Sequence, residues 1–106
     1  YTEVLGLSII REVYRESRNS FKLDLALGEK YIIELFSFPN PAVRPSKPEA
    51  CGLRHLAFKV DNVEEAKEFF IGKGIDVEPV RTDEFTQKKF TFFADPDGLP
   101  IEIYEV

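Results

Sequence analysis

Two short strings, IELF at 33–36 and IEIY at 101–104, set a glutamate into the same kind of apolar run, and Glu34 and Glu102 stand 68 positions apart. Gly6 and Gly74 repeat that offset, each where a helical pattern should stop. Two features recurring at one spacing point to duplication of a single supersecondary unit. This constrains the fold more than composition does, because whatever one half builds the other must echo.

The second copy is the easier to read. GLRHLAFKV (52–60) has the two-residue alternation of a strand, and DNVEEAKEFFIGKG that of a helix. Asp61 or Asn62 caps the helix, Glu64 and Glu65 occupy its positive first turn, and Gly74 stops it. Val63, Ala66, Phe69 and Phe70 form its apolar stripe. DVEPVRT, KFTFFA and PIEIYEV read as three further strands, the last two joined by the DPDG turn at 95–98. Residues 52–106 therefore read as one βαβββ unit.

In the first half, SIIREVYRE (8–16), FKLDLAL (21–27) and KYIIELFSF (30–38) read as a strand meander, with Phe21, Leu23, Leu25 and Leu27 on one face. Only YTEVLG resembles the tail of a helix. Residues 1–38 are thus the remainder of a first unit, and we expect roughly 15 to 25 of its residues, a strand and most of a helix, ahead of Tyr1. Residues 39–51 carry Pro39, Pro41, Pro45 and Pro48, which hold the chain extended. They form a connector, either a plain linker or a strap over a neighbouring cavity or subunit. The expected architecture is α+β, one domain over 1–106, with paired βαβββ units and helices on the outside.

Composition excludes several roles. The 14 basic residues are scattered among 19 acidic ones for a net charge of −5, which leaves no footprint for nucleic acid. No apolar run approaches the roughly 18 residues needed to cross a bilayer, and no membrane partner is expected. Cys51 is the single cysteine, so neither an intrachain disulfide nor an all-cysteine metal cage can form. A cytoplasmic location fits this usage.

Strand alternation sorts the polar residues. Glu34 shares a face with Phe36 and Phe38, His55 points away from Leu56, Phe58 and Val60, and Glu102 and Tyr104 oppose Ile101 and Ile103. Carboxylates on half-buried faces need a partner. A divalent cation would satisfy Glu34, His55 and Glu102 together, and two oxygen donors with one imidazole suit zinc, nickel, iron, manganese or cobalt. Lys22, Arg81, Lys88 and Lys89 offer the metal-free solution.

YIIELFSF, GLRHLAFKV and FTFFADPDGLPIEIYEV, in this order and spacing, resemble the glyoxalase and vicinal-oxygen-chelate superfamily across essentially the whole chain. The resemblance implies strands curled into a cup with a metal at its base, held by His and Glu on the first and last strands of each unit. It assigns Glu34, His55 and Glu102 as metal ligands and leaves the first unit's histidine without a counterpart. It also implies a homodimer, in which Glu34 meets His55 and Glu102 of a second copy. The implied chemistry is bidentate binding of adjacent oxygens of a small substrate and enediolate-type proton transfer, with Glu102 as the catalytic base. Phe36, Phe38, Phe92 and Tyr104 are the expected aromatic wall of the substrate pocket. Phe38 stands where glyoxalase I has a glutathione-contacting asparagine, which argues against glutathione as cosubstrate. The alternatives are a metal-free small-molecule binding or drug-sequestering protein, and a dioxygenase, whose iron usually takes two histidines and one carboxylate.

Overall fold

The computed structural model describes residues 1–106, which divide into two compact units, Tyr1–Ala42 and Val43–Val106. The first unit is a meander of β1 (Ser8–Arg15), β2 (Ser20–Leu27) and β3 (Lys30–Phe36), all antiparallel, with β2 in the middle. Gly28, at φ 60°, opens the two-residue loop between β2 and β3, where a left-handed residue matches the twist of the strands it joins. The segment ahead of β1 makes one turn, Gly6 N–H donating to the Thr2 carbonyl at 3.1 Å, rather than a helix. Gly6 and Gly74 nevertheless share left-handed backbone, with φ of 74° and 81°.

Two bulges flank Leu25. Ile9 and Arg11 pair with Leu25 and Asp24, leaving Ile10 over, and Ile33 and Tyr31 pair with Leu25 and Ala26, leaving Ile32 over. A bulge shifts the alternation by one residue. Arg11 thereby comes level with Asp24, and Tyr31 joins the face that carries Asp24 and Glu34. Leu25 is completely buried between the two irregularities.

The second unit runs β4 (Leu56–Val60), α1 (Val63–Gly72), β5 (Arg81–Thr82), β6 (Lys89–Ala94) and β7 (Pro100–Glu105). Its sheet has the order β4-β7-β6-β5, with β4 parallel to β7 and the other pairs antiparallel. Asn62 caps α1, its Oδ1 accepting from Glu65 N–H at 3.1 Å. The helix packs on the apolar face of the sheet: Phe70 and Phe93 meet at a 41° tilt with centroids 4.7 Å apart, and Ile101 and Ile103 are each 1% exposed. In the turn after β6, Asp95 Oδ1 accepts from the backbone N–H groups of Asp97 and Leu99 at 2.9 and 2.8 Å. The strand, helix, strand, strand, strand order matches the expectation for 52–106.

β4 and β5 fall well short of their patterns, and β3 ends at Phe36 rather than Phe38. β4 starts at Leu56 rather than Gly52, because its register with β7 would set His55 opposite Pro100, which has no N–H to offer. β5 keeps only Arg81 and Thr82 of DVEPVRT, since Pro79 interrupts the donor ladder after Glu78 N–H has reached the Phe92 carbonyl at 2.9 Å. Arg44 and Arg54 hold the loop between them through carbonyls. Arg44 donates to Leu53 and Arg54 oxygens at 2.6 and 2.9 Å, and Arg54 to Ala50 and Ser46 oxygens at 2.8 and 3.2 Å. No helix is long and apolar enough to cross a membrane.

Candidate active site

In the second unit, the face of the sheet turned away from α1 is where polar and aromatic side chains meet. Glu102 on β7 pairs with Ala57 on one side and Phe92 on the other. Ala57 contributes only a methyl group, so the imidazole of His55, just before β4, can reach over it. His55 Nε2 lies 3.1 Å from Glu102 Oε2. The imidazole also stands edge-on to Phe92, with centroids 5.4 Å apart. The Glu102 side chain is 16% exposed and that of His55 43%, so a shielded carboxylate sits behind a reachable imidazole.

Phe92 and His55 border a cavity of about 540 Å³, whose wall the connector completes with Ser46, Lys47 and Glu49. On the other side of Glu102, Tyr104 borders a shallower hollow of about 300 Å³ with Asp83 and Phe85. The Tyr104 hydroxyl hydrogen-bonds the Thr86 hydroxyl and donates to Asp83 Oδ2 at 2.9 Å. The Thr86 contact pulls its pKa down, but burial and the Asp83 carboxylate outweigh that and leave it raised. Asp83 is held low, first by the Phe85 backbone N–H and then by Tyr104.

Glu34, in the first unit, has its own partners. Lys22 Nζ is 2.8 Å from Glu34 Oε1 and 3.2 Å from Asp24 Oδ1, while Arg11 Nη2 is 3.0 Å from Asp24 Oδ2. The Tyr31 hydroxyl donates to Glu34 Oε1 at 2.6 Å. Lys22, and after it Tyr31, hold the Glu34 carboxyl below its ordinary value. Burial pushes Asp24 up, but the hydrogen bonds from Lys22 and Arg11 prevail and keep it low. Lys22 is raised by Glu34 and Asp24, and Tyr31 is raised by Glu34 and by burial. Phe36 and Phe38 stack with centroids 6.4 Å apart and are 40% and 51% exposed. The Arg15 guanidinium covers Phe36 at 4.7 Å.

Of the residues singled out from the sequence, the second unit therefore brings together His55, Glu102 and Phe92, with Tyr104 two residues along β7. Glu34, Phe36 and Phe38 belong to the first unit. Asp24 and Tyr31 were missed. Asp24 carried the same signal as Glu34, an acid within an apolar strand, whereas Tyr31 reaches its place only through the Ile32 bulge, which nothing in the sequence marks.

The donors present can be tested against a divalent cation. Two bonds of about 2.1 Å hold donor atoms about 3.0 Å apart in octahedral and about 3.4 Å apart in tetrahedral geometry, and His55 Nε2 and Glu102 Oε2 are separated by 3.1 Å. The pair fits half of such a site. No third His, Cys, Asp or Glu joins it within the unit.

Comparisons with known proteins bear on what this arrangement serves. The model of the Glyoxalase/Bleomycin resistance protein/Dioxygenase superfamily matches residues 1–103. YaeR of Escherichia coli (strain K12), an uncharacterized protein, is 57% identical over 105 residues, covering 99% of this chain and 81% of YaeR. YwkD of Bacillus subtilis (strain 168), also uncharacterized, is 56% identical over 99% of this chain and 82% of its own. A crystal structure of a glyoxalase family protein from Enterococcus faecalis is 52% identical and superimposes with a TM-score of 0.93 over 99% of this chain and 82% of that one.

Proposed function

The chain belongs to the glyoxalase/bleomycin resistance/dioxygenase superfamily, and from that premise we propose that it is a metal-dependent lyase or isomerase. Its substrate is a small molecule with oxygens on neighbouring carbons, and its reaction is a proton transfer between those carbons. The observation that supports this most is the approach of His55 Nε2 to Glu102 Oε2 at 3.1 Å on the open face of the second sheet.

In this reading His55 and Glu102 hold a divalent ion (zinc, nickel, iron, manganese or cobalt), and Glu34 of a second copy completes the set. When bound, the ion stabilises negative charge developing on adjacent substrate oxygens. Glu102 takes the proton from one carbon at its unshared carboxylate oxygen and returns it to the next. Phe92 and Tyr104, with Phe36 and Phe38 of that second copy, exclude water and favour a partly apolar substrate. Phe38 offers no amide to a peptide-like thiol, so glutathione is not the expected cosubstrate.

A second reading has its own support. Lys22 already neutralises Glu34 at 2.8 Å, as a metal-free small-molecule binding protein would need. Elemental analysis of protein purified without chelator, with melting curves in zinc, nickel and iron, separates the two. The enzyme reading expects a bound divalent ion and a rise in Tm that His55→Ala and Glu102→Gln abolish. Absence of metal and an unmoved Tm would replace it with the binding-protein reading.

A further inference from the structure

We infer that Arg81 is a specificity-determining residue of this site and selects substrates with an oxyanion, a carboxylate or phosphate, at the end remote from the reacting carbons. The inference rests on the reading of His55 and Glu102 as the reaction centre, and it names the substrate class that centre takes.

Arg81 opens β5 opposite Phe90. Its guanidinium carbon lies 4.8 Å from the Phe90 ring centroid and 5.6 Å from that of Phe92. Phe92 is the same ring that His55 meets edge-on at 5.4 Å. One aromatic side chain thus stands between the cation and the imidazole, and the two are no further apart than the sum of those distances, the span of a small metabolite. A guanidinium laid on aromatic rings loses much of its freedom while its N–H groups stay in its own plane, so its edge is preset for a bidentate acceptor.

The charges around the 540 Å³ cavity balance in number, with Lys47, Arg54 and Arg81 against Glu49, Asp76 and Glu78, so their commitments decide. Arg54 is spent on the carbonyls of Ala50, Pro45 and Ser46. Arg81 has a single ion pair, Nη2 to Glu78 Oε2 at 3.1 Å, with the two side chains 54% and 56% exposed. An exposed pair of that kind is weak and exchanges readily for a ligand oxyanion. Lys47, on the same wall, has no ion pair and no aromatic ring to orient it, which leaves Arg81 as the cation beside the reaction centre that is both oriented and available.

The test is calorimetric titration of the full chain as purified without chelator, at low salt, with two matched pairs of compounds. These are 2-hydroxyglutarate against 2-hydroxypentanoate, and glycerate 3-phosphate against glycerate. Each pair keeps the 2-hydroxy acid end and differs in the distal oxyanion, and the pair showing the preference distinguishes carboxylate from phosphate. The expected result is about tenfold or more tighter binding of the member with the distal oxyanion in one pair. Arg81→Gln should bring the two members within about threefold, and Arg81→Lys should restore part of the preference. No preference in either pair, a preference that survives Arg81→Gln, or no binding of any of the four overturns the inference. Glu102→Gln keeps the two readings distinguishable: it should remove metal binding and turnover while leaving the oxyanion preference in place. A native protein with the preference but without metal loses the reaction and keeps this assignment, and the opposite pattern does the reverse.

Discussion

Asp24 is 4% exposed and stays ionised because Arg11 and Lys22 close on it from one adjacent strand and from its own. Through the shared Lys22 it also fixes the place of Glu34. Both carboxyls are held below their ordinary values. The stability they contribute is therefore present above the unfolded values near 4 and is lost as pH falls through the lower folded ones. Thermal midpoints measured from pH 7 to pH 2 should decline below about pH 4. Asp24→Asn or Glu34→Gln should lower the neutral midpoint and flatten that acid limb, and an acid limb unchanged in both variants would contradict the network's role. At this scale the sequence was legible where alternation is regular. It placed Glu102 and Tyr104 on one face, away from Ile101 and Ile103, because β7 pairs with β6 without interruption. It did not place Tyr31 beside Glu34, because a bulge carries no residue signature of its own here; neither Ile10 nor Ile32 is a glycine or a proline.

Among the elements, α1 shows most directly how the second unit is held. Its start and stop follow from Asn62 and Gly74 and were readable because caps are local properties; of the expected apolar stripe Val63 and Phe70 are buried, whereas Phe69 is 53% exposed. Asn62→Ala should cost about 1 kcal/mol by orphaning the Glu65 N–H. Phe70→Ala should cost about 3–4 kcal/mol, because Phe70 is 6% exposed and its contact with Phe93 leaves a cavity when removed. Urea denaturation at neutral pH measures both, and equal costs would mean that the helix does not pack as described. The short β4 and β5 were harder to foresee. β4 is cut from across the ladder by Pro100 opposite His55, an effect that depends on register, whereas β5 is cut by its own Pro79, next to Glu78. The early end of strand pairing leaves His55 on irregular backbone, tied to the sheet by Phe92 and Glu102.

For the molecule as a whole, the duplication is the most informative feature, and it carries a prediction about assembly. If Glu34 of one copy serves His55 and Glu102 of another, chains bearing Glu34→Gln and chains bearing His55→Ala should each fail to retain metal alone. A mixed dimer, isolated with two affinity tags, should recover about half the metal of the parent, since one of its two sites combines unaltered residues. No recovery would mean that each chain builds its site, if any, without Glu34 from a neighbour. The units also differ in one respect that their shared offset hides. Counted back three residues, Glu34 finds Tyr31 and Glu102 finds Leu99 in a turn, and only the first strand carries a spare residue in between. That surplus at Ile32 works as a phase shifter. Exchanging Ile32 for another apolar residue should leave Tyr31 in hydrogen-bonding reach of Glu34, whereas deleting it would swing the phenol to the far side of the sheet. One of the two related carboxylates is thus governed by how many residues precede it rather than by what they are, and shortening the hairpin would release it from tyrosine's hold.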